Sequence, residues 1–343
     1  MRMNGRRQRP TLEMVAEHAG VGRGTVSRVI NGSEQVSPAT RDAVLNAVRE
    51  LGYVPNHAAR TLVTQRTDTV ALVVSEPDER LFEQPFFAHI VRGVSAVLDE
   101  RGLQLMLTMA RSASDHERLG EYLTGRHVDG VLIVSLHSDD PLPDRLAEAG
   151  VLCVHGGRPL GQSRHPLHYV DIDNVGGAYA ATRHLVASGR RRVGTVAGPQ
   201  DMVAGVDRLR GYRDALRDAG HRLDPELVAV GDFSYESGAE AMGRLLRAAP
   251  DVDAVFVASD PMALAALRVL RAAGRRVPDD VAVVGYDDST LALHADPPLT
   301  TVHQPTEQMG REMTRLLTDA LAAGTEPSEN VVLDAHLVIR ESG

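Results

Sequence analysis

Thr11-Leu-Glu-Met-Val-Ala-Glu-His-Ala-Gly-Val-Gly-Arg-Gly-Thr-Val-Ser-Arg-Val-Ile-Asn31 reads as two short amphipathic helices joined by a turn at Gly20. That is the outline of a helix-turn-helix, whose second helix enters the DNA major groove. Leu12, Val15, Ala16 and Ala19 recur at spacings of three and four and share one helical face. Val26, Val29 and Ile30 repeat the pattern, leaving Arg23, Thr25, Ser27 and Arg28 outside the packed stripe. Thr11 can cap the first helix, and Gly20 suits a left-handed turn. Ser37-Pro38 opens a third helix, a cap followed by proline at the first helical position, with Val44, Leu45, Val48 and Leu51 as its apolar positions and Gly52 as its end. Three small helices around one core make a compact DNA-binding headpiece.

The charge distribution agrees. Residues 1–66 hold ten arginines against five carboxylates, a balance of +5, so the net charge of −9 over the chain leaves −14 on residues 67–343. A basic end on an acidic body is the electrostatic pattern of a nucleic-acid-binding module attached to something else. Only residues 1–10 read as a disordered basic tail. All 37 basic residues besides histidine are arginine, which fits base-composition bias in the gene better than selection for bidentate chemistry. At 343 residues, 43% of them apolar, the chain is long enough for two or three domains. The single cysteine, Cys153, excludes an internal disulfide and fits a reducing compartment; in the run Val151-Leu-Cys-Val154 it reads as a strand residue rather than a nucleophile. No apolar stretch approaches the roughly 20 residues that span a bilayer, and the arginine-rich start has no hydrophobic region after it, so a cytoplasmic protein is expected.

From about Thr69 the pattern changes to short β-branched runs alternating with helical segments. Residues 69–74, 103–107, 129–134 and 151–154 read as buried parallel strands, and 192–197, 227–230, 253–257 and 281–284 as a second set. Segments 88–100, 175–188, 207–219, 236–248 and 261–273 read as helices between them. Such alternation implies right-handed crossovers and parallel sheets covered on both faces, and eight strands suit two doubly wound sheets better than one. The polar stretch Gly156 to His168 is the expected passage between them. Two α/β lobes form a cleft at the carboxyl ends of their strands, which makes Ser75, Ser135, Ser259-Asp260 and Tyr286-Asp287-Asp288 candidates for ligand contact.

With headpiece, linker and cleft in hand, the chain resembles the lac repressor (LacI/GalR) family of bacterial transcriptional regulators over residues 11–340. The resemblance is carried by Thr11-Leu12 through Val26-Ser-Arg-Val-Ile-Asn31, Val36-Ser-Pro-Ala-Thr-Arg41, Leu51-Gly-Tyr-Val-Pro-Asn56 and Ala59-Arg-Thr-Leu62 at the amino end. Further along it rests on Pro85-Phe-Phe87, Asp173-Asn174, Ser259-Asp-Pro-Met-Ala-Leu264, Val284-Gly-Tyr-Asp-Asp288 and Leu299-Thr-Thr-Val302. It implies that Arg23, Gly24 and Arg28 occupy the major-groove reading positions, while Thr25, Ser27 and Asn31 are better placed for phosphates, which position without specifying. Ser27 has a second reading, as a helix residue bonding its own backbone. Gly24 departs from the family pattern: it costs about 0.5–1 kcal/mol of helix stability relative to Ala and removes a reading side chain, so recognition leans on Arg23 and Arg28. Asn56 to Val63 resembles the family's hinge helix, with Leu62 as the minor-groove wedge and Ala59 beside it. The alternative is that Leu62 belongs to a permanently folded linker. Some eight residues are too few for a stable lone helix, so folding of the hinge can depend on DNA.

For the body, the resemblance implies a periplasmic-binding-protein-like core. Its two subdomains would be roughly 67–168 plus 303–331 and 169–300 plus 332–340, after a headpiece at 11–55 and a hinge at 56–66. Phe86, Phe87 and Phe233 match effector-facing aromatics, Arg208 and Asp287 the paired polar anchors, and Ser259 and Gln304 are weaker matches. Core packing competes for the aromatics, and a loop or cap bond competes for Asp287. Met202 and Ala204 stand where the purine-binding branch carries polar contacts, so the expected effector is a sugar or glycoside. No cofactor, metal or catalytic residue is expected. The chain has no Gly-x-Ser-x-Gly, no lysine for a Walker loop and no His-Glu-x-x-His, and His165-Pro-Leu-His168 offers only two zinc ligands in a polar loop. A ligand-binding protein or enzyme on the same two-lobed fold is the alternative class. The expected mechanism is a homodimer on a pseudopalindromic operator, a repressor more than an activator, with effector in the cleft shifting the population of DNA-competent states. The chain ends soon after its last strand with no heptad tail, so a dimer is expected over a tetramer.

Overall fold

The structure is a computed structural model that describes residues 10–30, 33, 35–54, 66–76, 80, 84–110, 112–161, 163–327 and 329–343. Asn31, Asn56, Ala59, Leu62 and the hinge helix expected at 56–66, apart from Arg66, lie outside the described residues. The chain divides into two compact units, residues 1–67 and 68–343.

The first unit holds helices α1 (Leu12–His18), α2 (Arg23–Ile30) and α3 (Pro38–Leu51). The Thr11 hydroxyl accepts the Met14 N–H at 3.4 Å, and Gly20 adopts φ +66°, a conformation open to glycine without strain. Ser37 caps α3 by accepting the Thr40 N–H at 3.3 Å, and Gly52 ends it left-handed at φ +61°. Val15, Ala16, Val26, Val29, Val44 and Ala47 form the buried core. The expectation that Leu45 joins it is corrected: Leu45 is 42% exposed. Val44, Ala47, Val48 and Leu51 follow i, i+3, i+4, i+7 spacing, and Leu45 sits about 100° round the helix from that stripe.

The second unit carries two lobes of one plan. Its first six-stranded sheet runs in the order β11-β5-β4-β3-β1-β2, with β1 Thr69–Val74, β2 Gln104–Met109, β3 Gly130–Val134, β4 Cys153–Gly156, β5 His168–Ile172 and β11 Val331–Leu333. The second runs β12-β10-β9-β8-β6-β7, with β6 Val193–Ala197, β7 Val228–Val230, β8 Ala254–Val257, β9 Ala282–Asp287, β10 Thr300–His303 and β12 His336–Val338. Every pairing is parallel except β10 with β12, which is antiparallel. Helices α4 (Pro85–Glu100) and α12 (Thr306–Ala323) cover one face of the first sheet, and α5 (Ala113–Thr124) and α6 (Leu142–Glu148) the other. On the second sheet α9 (Tyr235–Ala248) and α10 (Asp260–Ala272) cover one face, and α7 (Asn174–Ala187) and α8 (Val203–Asp218) the other. Short α11 (Thr290–Leu293) follows β9.

Two expectations are corrected here. Residues 157–167 do not pass between lobes; they join β4 to β5 within the first sheet, so 169–172 belong to the first lobe, not the second. The crossings fall instead at 173, between β10 and α12, and between β11 and β12, so the first lobe's last segment reaches Leu333 rather than 331. The misreading has a physical source: His168-Tyr-Val-Asp-Ile172 mixes polar and apolar side chains and lacks the continuous apolar run of a central strand. The segment 103–107 is likewise an edge strand, half-exposed with Leu107 41% accessible, not a buried one.

Candidate functional site

On α2 the side chains of Arg23 and Arg28 and the backbone of Gly24 are exposed, while Thr25 and Ser27 are half-buried beside the core residues Val26 and Val29. Arg23 pairs with Glu13 of α1 at 3.1 Å, both largely solvated, so the pair is weak and readily exchanged for another acceptor. Arg28 Nε donates to the Gly24 carbonyl at 3.3 Å. Thr11, by contrast, is engaged as the α1 cap. The helix thus presents two arginines on the face turned away from its own packing.

In the second unit a cleft lies between the lobes, enclosing about 930 Å³ when its open mouth is included. Its walls come from the carboxyl ends of strands: Ser135 after β3, Gly157 and Arg158 after β4, Asp171 in β5, Phe233 after β7, Ser259 after β8, Asp287 at the end of β9 and Gln304 after β10. All seven expected effector residues, Phe86, Phe87, Arg208, Phe233, Ser259, Asp287 and Gln304, line it. Their roles differ. Phe87 is 2% exposed within the first-lobe core and meets Phe86 edge-on at 5.1 Å, leaving Phe86 as the more accessible ring. Ser259 caps α10 and is 3.4 Å from the Phe233 carbonyl.

Arg208 is the hub. Nε donates to Asn174 Oδ1 at 2.9 Å, Nη1 to the Ala258 carbonyl at 2.7 Å and Nη2 to Gln304 Oε1 at 3.2 Å. Gln304 in turn donates to Asp287 Oδ1 at 2.6 Å, and that oxygen lies 3.7 Å from Arg208. The guanidinium stacks 3.6 Å from the Tyr286 ring centre and 5.5 Å from that of Phe233. Burial pushes the Asp287 carboxyl above its usual range against the pull of Arg208, and burial together with the Asp287 charge raises neighbouring Asp260, which accepts from Ser289 and Thr301. Phe233 and Asp287 both have positive φ, 73° and 121°, backbone strain concentrated at the cleft wall.

Residue patterns had not pointed to two other groups. Arg158 of the first lobe donates to Asp171 at 2.9 Å and to Asp207 of the second lobe. Glu76, Arg80 and His137 of the first lobe face Asp232 and Asp201 of the second. The strand-end rule reached only the neighbouring Ser75 and Ser135; partners so distant in sequence carry no local signal. Ser75 itself bonds Asp140 at 2.8 Å, and Asp288 is taken up by His303 and Arg340, so neither offers itself to a ligand. Cys153 packs beneath the first sheet, where burial pushes its thiol up, which disfavours the thiolate. Among the described residues no group of three or more metal-ligating side chains is assembled.

Comparison with known proteins follows the same division. A family profile described as bacterial regulatory proteins, lacI family, matches residues 11–56, and one described as a periplasmic binding protein-like domain matches residues 182–343. The chain is 66% identical to the HTH-type transcriptional regulator CelR of Thermobifida fusca over 98% of this chain and 99% of that protein. It is 34% identical to the HTH-type transcriptional repressor CytR of Escherichia coli (strain K12), over 97% of this chain and 96% of the other. Among solved structures, a transcriptional regulator CelR–cellobiose complex is 64% identical with a TM-score of 0.79, covering 98% of this chain and all of that one. The lac repressor dimer bound to operator and the anti-inducer ONPF superposes with a TM-score of 0.84 at 29% identity, covering 98% and 99%.

Proposed function

The chain belongs to the lacI family of bacterial regulatory proteins and is a DNA-binding transcriptional regulator with an effector-binding core, and from that premise we propose how it is switched and by what. It acts as a cytoplasmic homodimeric repressor on a pseudopalindromic operator, each headpiece reading one half-site. Arg23 and Arg28 read bases, with Gly24 between them allowing close approach, while Thr25, Ser27 and Asn31 hold phosphates and Thr11 fixes the start of the first helix against the DNA. Asn56, Ala59 and Leu62 form the minor-groove hinge, Leu62 opening the central step. No described helix is long and apolar enough to cross a membrane.

The effector is an uncharged sugar, a β-linked disaccharide of the cellobiose kind. The observation that carries this reading is the Arg208–Asp287–Gln304 array set beside the Phe233 and Phe86 rings. Planar polar groups that donate and accept side by side suit paired hydroxyls, and an aromatic face suits the apolar face of a pyranose. The three arginines lining the cleft, Arg80, Arg158 and Arg208, are each already paired with a carboxylate, which disfavours a phosphorylated or acidic ligand. The solved CelR–cellobiose complex supports the same class. Ligand binding shifts the balance of lobe orientations, by no more than its differential affinity for them. Thermal unfolding with added sugars tests the reading. Cellobiose raises the unfolding temperature in proportion to ln[ligand] and glucose 6-phosphate does not; stabilisation by the phosphate alone, or by neither, contradicts it.

A further inference from the structure

Beside the cleft, one buried carboxylate organises a chain of charges that crosses from lobe to lobe. Glu76, 4% exposed, receives Arg80 Nη1 at 2.9 Å and stands 3.5 Å from His137 Nε2. The other ring nitrogen of His137 bonds Asp201 Oδ2 at 2.8 Å, and the next residue's N–H, from Ser138, donates to the Asp201 carbonyl at 2.8 Å. Arg80 reaches Asp232 at 2.6 Å. Glu76, Arg80 and His137 belong to the first lobe, Asp201 and Asp232 to the second. Each contact lands on a loop that carries cleft wall: Asp201 precedes Met202 and Val203, and Asp232 precedes Phe233. With Glu76 on one side and Asp201 on the other, an imidazolium satisfies both carboxylates, whereas a neutral ring can donate to only one. Asp139, Asp140 and His116 line the adjoining groove, and Asp140 is already held by Ser75 and His116.

We propose that Glu76, His137 and Asp201 form a charge clasp that holds the lobes together over the cleft, making His137 a positioning residue for ligand binding that does not itself touch the ligand. The Glu76 carboxylate beside the ring raises the imidazole most, burial opposes it, and Asp201 adds to the rise, to about 9 from an ordinary 6.5. The sign follows: a raised pKa in the closed form means the clasp contributes fully below about 6.5 and is lost as pH climbs through about 9.

For its ligand the clasp rests on the sugar reading above, but its existence does not, and two measurements separate them. In the first, the full-length protein with labelled histidine is titrated by NMR, His137 being assigned by its loss in His137→Leu. An apparent pKa well above the ordinary histidine range, lowered by about one unit or more in Asp201→Asn, is expected; titration in the ordinary range overturns the clasp. In the second, cellobiose is titrated calorimetrically. His137→Leu and Asp201→Asn each weaken binding about five- to tenfold at pH 7, while His137→Arg, which keeps the charge, stays within about twofold and loses the fall in affinity between pH 8 and 10. Unchanged affinity in both weakened variants overturns the positioning role. Failure of the wild-type protein to bind cellobiose contradicts the sugar reading alone, and the His137 titration then decides the clasp.

Discussion

Arg208 shows how much of this protein's ligand chemistry is fixed before a ligand arrives. Three of its nitrogens donate to Asn174, Ala258 and Gln304, so its remaining N–H groups and the adjacent Asp287 are aimed by the protein. Lysine keeps the charge but not the planar fork. Arg208→Lys should therefore weaken cellobiose binding about ten- to a hundredfold, at 1.4 kcal/mol per decade, with operator affinity in the absence of sugar held within about twofold. Calorimetry and fluorescence anisotropy measure the two separately. On α2 the corresponding test is Arg23→Ala, expected to relax preference at one position of each half-site by about 1–3 kcal/mol, read by competition among operator variants. Base preference identical to wild type would take Arg23 out of the reading set. At this scale the sequence was largely legible: helical spacing left Arg23 and Arg28 outside the apolar stripe, and the strand-end rule reached Ser259 and Asp287. Arg208 and Phe233 came only with the family resemblance, since nothing local marks a helix arginine or a loop phenylalanine as a cleft residue.

Among the elements, α4 and α12 pack backbone to backbone at two glycines. A Cβ on Gly310 would stand 2.5 Å from the Ile90 carbonyl, and one on Gly93 would strike the Glu307 carbonyl, both of them backbone atoms that cannot swing aside. Gly310→Ala should destabilise the core by about 1–3 kcal/mol, seen as a lower unfolding temperature in calorimetry. An unchanged transition would mean the helices can separate freely. The same lobe contains His155, wholly inaccessible in β4 and without a hydrogen-bond partner among the described residues, where burial holds its imidazole down to about 4. A depressed base binds fewer protons folded than unfolded, so core stability should fall as pH drops from about 6.5 towards 4. His155→Gln should flatten that dependence, tested by denaturant unfolding across the window. The elements that composition missed share one cause. β5 and β10 are rich in threonine, histidine or tyrosine, and β11 and β12 are only three residues each; their places are set by pairing with distant strands, as β11 with β5 and β12 with β10, rather than by any extended local apolar run.

For the whole molecule, two doubly wound lobes and a basic three-helix head were readable from periodicity and charge, but the strand order and the way the lobes are tied were not. His137 meets Asp201 64 residues away, and Arg80 meets Asp232 152 residues away. Such pairs exist only once both sheets have formed and the chain has crossed between them, and a single sequence holds no record of the distance. The boundary between lobes was misplaced for the same reason, since β5 is defined by the neighbours it joins. The central claim is that the head's grip on DNA answers to an uncharged sugar in the cleft. Fluorescence anisotropy with a selected palindromic operator, in excess bulk DNA at moderate salt and with cellobiose titrated in, measures it directly. The account predicts sequence-specific binding whose affinity changes severalfold with cellobiose in the wild type and not in Arg208→Lys at the same sugar concentration. Specific binding indifferent to cellobiose, or no preference for any sequence over bulk DNA, would contradict it.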